Sequence, residues 1–188
     1  MAIEYEIKLR GDRVDLLEAL ARIGARARGD RVLEDDLVLD TADGRIRRAG
    51  GLLRLRRRGE GFLLTLKGRS DEHGEVKAMT ETETAVTDGE ALRALFEQLG
   101  FAVAQRYQKY RTAFTCPLPG CESVLLTLDE TPVGDFLEIE GDPELIHRCA
   151  EALGFERQDY EMRSYLEIHR VERGAGDMLF DAAPTEAP

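Results

Sequence analysis

Tryptophan is absent from the 188 residues, and histidine and cysteine occur only three times each. His73, His147 and His169 are scattered and read as surface or packing residues rather than ligands. Cys116, Cys121 and Cys149 show no C-x-x-C spacing and no nearby histidine pair, so nothing points to zinc. Cys116 and Cys121 flank Pro117-Leu118-Pro119-Gly120, a turn compatible with a local disulfide, but three ordinary reduced thiols are the expectation. Long apolar runs are missing as well: none approaches the roughly 20 residues that cross a bilayer. The opening Met-Ala-Ile-Glu-Tyr-Glu is no signal peptide, so a cytoplasmic location is expected. Positive charge is outnumbered, 26 Lys and Arg against 37 Asp and Glu, and the net charge of −11 argues against a general nucleic-acid or membrane-surface binder.

What is present is a 43% hydrophobic chain with about a third of its residues charged, enough for one domain with a sizeable core. Residues 1–172 are expected to form that domain, and 173–188, rich in Gly, Ala, Pro and Asp, a flexible C-terminal tail. Residues 3–10 alternate with period two, as do runs at 33–40, 51–58, 62–67, 79–86, 107–116, 124–129 and 136–140. Asp12, Asp88 and Asp142-Pro143 open three helical runs that close at Gly24, Gly100 and Gly154. Asp43-Gly44 reads as a loop and Gly59-Glu60-Gly61 as a hairpin turn, while the polar stretch 68–77 reads as a further loop. About eight strands with three helices predict an α+β protein on an antiparallel sheet.

The polar face of these strands is chemically sorted. Glu4, Glu6 and Lys8 share one face of the first strand, and Arg54, Arg56 and Arg58 one face of another within a locally arginine-dense stretch. Thr65 with Lys67, Glu81 with Glu83, Lys109 with Arg111, and Glu138 with Glu140 repeat the pattern, and Asp129 ends its strand. Side chains at i and i+2 of a strand lie roughly 6.5–7 Å apart on one face. Paired carboxylates at that spacing suit a hard cation, and paired arginines suit neighbouring phosphates. Any one such strand is ordinarily a solvated face with cross-strand ion pairs. Acidic and basic strands converging within a closed sheet are costly as pure structure, and bound metal and phosphate relieve that cost.

Glu4-x-Glu6-x-Lys8 resembles the signature of the CYTH superfamily, the triphosphate tunnel metalloenzymes. Leu53-Arg54-Leu55-Arg56, Leu64-Thr65-Leu66-Lys67-Gly68, Glu81-x-Glu83, Lys109-x-Arg111, Leu128-Asp129-Glu130 and Gly134-Asp135-Phe136-Leu137-Glu138-Ile139-Glu140 follow in the family's order, so the resemblance covers roughly residues 2–170. It implies an eight-stranded antiparallel tunnel, closed or nearly closed, with a polar lumen, helices outside, and a requirement for Mg²⁺ or Mn²⁺. It also implies that Arg54, Arg56, Lys67, Lys109 and Arg111, supported by Lys8, grip a triphosphate, and that Glu4, Glu6, Glu81, Glu83, Asp129, Glu138 and Glu140 serve metal. Glu4, Glu6, Lys8, Lys67 and Arg111 would then be catalytic. Phe62 and the 68–77 loop would border the entrance, and Arg163 stands where a lysine occurs in some members. The implied reactions are hydrolysis of inorganic or thiamine triphosphate, or cyclisation of ATP by a class IV adenylyl cyclase; a polyphosphate-binding module without turnover is the non-enzymatic alternative. A homodimer is the general prior.

Overall fold

The period-two opening forms β1 (Ala2–Gly11), and Asp12 ends it by accepting the Val14 N–H at 2.9 Å, which starts α1 (Arg13–Arg22). The computed structural model describes residues 2–73 and 75–181. After α1 come β2 (Arg26–Ala27), β3 (Val32–Thr41), α2 (Arg45–Arg48), β4 (Leu52–Arg58), β5 (Gly61–His73) and β6 (Val76–Val86). There follow α3 (Gly89–Gln98), β7 (Phe101–Thr115), β8 (Leu125–Thr131), β9 (Gly134–Glu140), α4 (Pro143–Leu153), β10 (Tyr160–Glu161) and α5 (Tyr165–Glu172). Pairing runs in the order β1-β6-β5-β4-β3-β7-β8-β9, antiparallel throughout, and β9 returns to β1 through Ile7↔Ile139 and Lys8↔Glu138. This return closes an eight-stranded barrel; β2 adds to β7 and β10 to β1 outside it. Closure leaves the ring of eight without an unpaired edge. Among the described residues no helix is long and apolar enough to cross a membrane.

The apolar face of each strand points outward, under the helices. Ile7, Leu9, Phe114, Leu126, Leu128, Leu137 and Ile139 meet Leu16, Ala19 and Leu20 of α1 and Ile146, Ala150 and Leu153 of α4 in the largest core. Leu39, Leu53 and Leu55 pack with Leu92 and Phe96 of α3, whereas Phe136, on the same face of β9 as Glu138 and Glu140, packs with Tyr165 and Ile168 of α5 on the inner side of the barrel. Because the barrel's core lies on its outside, its interior is free to be polar. The fold is therefore inverted relative to an ordinary apolar-filled barrel.

Four expectations change. The Asp43-Gly44 connection carries a helical turn, α2, because the Asp40 carboxylate accepts the N–H groups of Ile46 (2.8 Å) and Arg47 (3.0 Å) at its start. The stretch 68–77 is mostly strand, since β5 runs on to His73 and β6 begins at Val76, with residue 74 outside the described residues. The register shift between Lys67 and Ser70 marks a β-bulge at Gly68. A Cβ on Gly68 would fall 2.1 Å from Thr80 Oγ1, so that glycine permits the close approach of two strands rather than ending one. Phe62 does not border an entrance; it packs outside with the Leu39 cluster, its ring against Gly89. The tail is anchored rather than flexible as far as Phe180. Met178 is fully buried and joins β7 through Met178 N–H to Arg106 O (2.9 Å) and Gln108 N–H to Met178 O (2.9 Å), and Phe180 meets Tyr110. Residues 182–188 lie outside the described residues.

Candidate active site

Alternation along eight strands sends one polar row from each into the barrel, where a cavity of about 1450 Å³ opens. β1 supplies Glu4, Glu6 and Lys8; β4 Arg54, Arg56 and Arg58; β5 Lys67; β6 Glu81 and Glu83; β7 Lys109 and Arg111; and β9 Glu138 and Glu140. Asp129 of β8 is fully buried against the same group. The structure thus brings every residue expected at the site onto one lumen. Glu81 and Glu83 share a parity, opposite Lys67 and Thr65, so both face inward, Glu83 at the exposed end. Arg163 lies at the rim, donating from its backbone N and Nε to Glu161 Oε1 at 2.9 Å each.

Several lining residues were not expected. Glu34 and Asp36 of β3 are buried and face Lys109 and Arg56 across the strands. Their i, i+2 pairing is the same signal as Glu4-x-Glu6, hidden in the run Glu34-Asp35-Asp36. Lys77 falls in the stretch 68–77 that reads as a loop in sequence but belongs to β6 in the structure. Tyr107 of β7 and Tyr165 of α5 also enter the cavity, as aromatic residues on strand and helix faces that otherwise read as core.

The lumen charges form opposed groups. Arg56 clasps Asp36 through Nε and Nη2 at 2.7 and 2.9 Å. Its Nη1 lies 2.8 Å from Glu34 Oε2 without an N–H aimed at that oxygen, an ionic contact rather than a hydrogen bond. Arg111 holds Asp129 through two bonds of 2.5–2.6 Å and also reaches Glu138; Lys109 donates to Asp129 at 2.6 Å. Tyr165 Oη donates to the same carboxylate at 2.9 Å, with Lys8 and Lys109 flanking its ring. Lys8 pairs with Glu6 at 2.8 Å, and Lys77 reaches Glu6 at 3.3 Å. Lys67 sits between Glu4 (3.0 Å) and Glu81 (2.9 Å).

Burial disfavours ionised Glu6, but the ammonium groups of Lys8, Lys67 and Lys77 together outweigh it and hold the carboxyl at about 2. Burial of Glu138 is likewise outweighed, by Arg111 and Lys109, and its carboxyl lies well below the usual range. The other end differs. Burial and a hydrogen bond with Glu81 push Glu4 up to about 8, so these two carboxyls share a proton. Burial also raises Glu140, with Glu138 and Glu6 adding repulsion against the pull of Lys67. Burial pushes the Lys109 ammonium down, with Arg111 adding to the effect.

The acid-rich end at Glu4, Glu81 and Glu140 is therefore short of positive charge, and a divalent cation fits there. The only three ligating groups mutually within 4.8 Å among the described residues are cysteines. The carboxylates consequently suit a cation that uses one or two protein ligands and completes its shell with phosphate oxygens and water, as Mg²⁺ does. The cationic side offers one incompletely engaged group. Arg54 is 8% exposed, and its Nη atoms reach only the neutral Tyr107 and Thr65 hydroxyls, both at 3.3 Å. Its Nε–H has no acceptor, and the nearest carboxylate oxygen, on Asp36, is 3.9 Å away.

An outward-cored, closed antiparallel tunnel lined by opposed cations and carboxylates defines the class of protein. The CYTH domain family matches residues 2–165, and the chain belongs to that family. A Methanocaldococcus jannaschii protein named as a candidate adenylate cyclase is 25% identical over 173 residues, 88% of this chain and 98% of its own. A Pyrococcus furiosus protein described only as conserved and hypothetical superposes with a TM-score of 0.72 at 27% identity, covering 88% of this chain and 99% of its own. A Hippeastrum protein, described as a candidate adenylyl cyclase with a dominant triphosphatase activity, shares the fold at TM-score 0.67 and 20% identity, over 91% of this chain and 96% of its own.

Proposed function

We propose that the tunnel binds a small triphosphate together with Mg²⁺ or Mn²⁺ and hydrolyses it, with inorganic triphosphate or an organic triphosphate such as thiamine triphosphate as substrate. The carrying observation is Arg54, a buried guanidinium whose Nε–H lacks an acceptor in a lumen that also holds Arg56, Lys67, Lys109 and Arg111. A phosphate oxygen supplies what Arg54 lacks and brings it into the charge-assisted hydrogen bonding that guanidinium geometry favours. A divalent ion, when bound, neutralises the phosphate charge and acidifies its coordinated water. One or two carboxylates from the Glu4, Glu81 and Glu140 end would hold it directly, while Glu6, Asp129 and Glu138, already paired with Lys8, Lys109 and Arg111, keep the cationic wall in place. Arg54, Lys67 and Arg111 then stabilise charge that develops on the departing phosphate.

Cyclisation of ATP is the second reading, favoured by the name of the M. jannaschii relative. One assay decides between them: purified protein with Mg²⁺ or Mn²⁺ is given inorganic triphosphate, thiamine triphosphate and ATP, and phosphate and cyclic AMP are measured. Phosphate release from the first two supports hydrolysis. Cyclic AMP with pyrophosphate supports the cyclase, and metal-dependent binding without turnover defeats both.

A further inference from the structure

Outside the tunnel, the fold gathers the three cysteines that sequence spacing left unrelated. Cys116 follows β7, Cys121 lies in the turn before β8, and Cys149 is on α4, yet their Sγ atoms all lie within 4.8 Å of one another. Cys116 and Cys149 are 3.4 Å apart, sulfur to sulfur. Cys121 and Cys149 are fully buried and Cys116 is 6% exposed. The turn that carries Cys121 is fixed by Cys121 N–H to Leu118 O (2.9 Å) and Val124 N–H to Cys121 O (3.0 Å). Arg148, next to Cys149, donates to Pro119 O at 2.9 Å and ties that turn to α4. The trio is therefore held from both sides before any ligand arrives.

Its chemistry narrows the occupant. No histidine or carboxylate joins the group among the described residues, so a four-coordinate zinc centre lacks its fourth protein ligand. With ligand bonds of about 2.3 Å, the Cys116 and Cys149 sulfurs, 3.4 Å apart, subtend an angle of about 95°, an angle that suits a pyramidal three-coordinate ion carrying a lone pair. The surroundings are apolar, with Phe114, Val124, Leu126 and Ile146 in the same cluster, and a net charge there is costly. Burial, reinforced by the Cys116 and Cys121 thiols, pushes the Cys149 thiol up, which keeps it neutral. Three thiolates balance a trivalent ion and leave no net charge.

We propose that Cys116, Cys121 and Cys149 form a trithiol site that takes up a trivalent thiophilic ion of the arsenic(III) kind as a neutral tris-thiolate. Arsenous acid and three thiols give three arsenic–sulfur bonds and three waters; each thiol proton leaves with one hydroxide, and nothing is oxidised or reduced. The test uses the full chain, reduced with a phosphine and offered arsenite. Native mass spectrometry is expected to show one arsenic gained with three hydrogens lost, and X-ray absorption three sulfurs and no oxygen at the arsenic. Cys121→Ala is expected to weaken uptake by more than about tenfold, since even outer-shell changes at such sites cost that much. Absence of an adduct, an arsenic that keeps an oxygen ligand, or undiminished uptake by Cys121→Ala each overturns the site. The absorption measurement on the wild-type protein decides the matter even where the variant fails to fold.

Discussion

Replacing Arg54 by Met separates the substrate's needs from the fold's. Arg54 carries a charge that is 92% buried yet has only hydroxyl partners at 3.3 Å and an unbonded Nε–H. Met keeps much of the volume and removes a desolvated charge, so the stability change is expected to stay within about 1 kcal/mol. Arg56 offers the contrast: its loss leaves Asp36, fully buried, without its bidentate partner, a change of about 3–5 kcal/mol. Catalysis is where the loss of Arg54 is expected to show. Two charge-assisted hydrogen bonds to phosphate at about 1.5–2 kcal/mol each amount to about 3–4 kcal/mol, or about 10²–10³ in kcat/KM. The assay is phosphate release from inorganic triphosphate with Mg²⁺, beside thermal unfolding of the same preparations. Arg54→Met with kcat/KM within about threefold of wild type would refute the reasoning, since tenfold already corresponds to about 1.4 kcal/mol. So would an Arg54→Met protein less stable than Arg56→Met.

Other outcomes follow from the same geometry. Tyr165→Phe removes a hydrogen bond to the fully buried Asp129 and is expected to lower stability by about 1 kcal/mol, read by chemical denaturation. Leu153→Ala, on the face of α4 against the barrel and 1% exposed, is expected to cost about 2–5 kcal/mol by the same measurement. In metal-free protein the raised Glu4 contributes stability that is full below about 4.5 and is lost as pH rises through about 8. Glu81, lowered to about 2, adds no slope above pH 6. The loss between pH 6 and 8.5 is expected to be on the order of 1–3 kcal/mol. Thermal unfolding in a chelator should show that slope, and Glu4→Gln should flatten it; an unchanged slope in that variant contradicts the shared proton.

Much of the tunnel was legible because strand parity is a local property. Glu4, Glu6 and Lys8 could only share a face once residues 3–10 were strand, and β9 repeats that logic with Glu138 and Glu140. Asp12, Asp88 and Asp142 marked three helix starts because each side chain accepts a backbone N–H in the first turn. The failures have physical causes as well. In Glu34-Asp35-Asp36 the outward Asp35 pairs with Arg106, so an acid stands on both faces and alternation disappears. Gly68 carries the sign of a turn but sits at a bulge, and that misplaced Lys77. α5 is eight residues long, and its start rests on Ser164 and Glu167 capping each other, a signal that hydrophobic periodicity does not contain. The cysteine trio depends on α4 packing beside the β7–β8 connection, a tertiary contact with no local trace.

Closure of the barrel also changes what its charged residues are for. The resemblance implies that Glu6 serves metal, and Glu6 also balances Lys8, 3% exposed, and Lys77. Glu6→Ala would leave Lys8 with Glu138 alone, at 3.7 Å, and take from Lys77 the carboxylate 3.3 Å away. Asp129 similarly engages Lys109, Arg111 and Tyr165 at once. An alanine at either position should therefore lower unfolding stability as well as activity, and loss of activity alone cannot assign either residue to metal. Glu140 separates the roles better, because no cation is close enough to form an ion pair with it among the described contacts and its carboxyl is already raised. Glu140→Gln is expected to keep or gain stability in chelator while raising the Mg²⁺ concentration needed for half-maximal phosphate release. If it loses stability and leaves the Mg²⁺ dependence unchanged, the cation does not bind at the Glu4, Glu81 and Glu140 end.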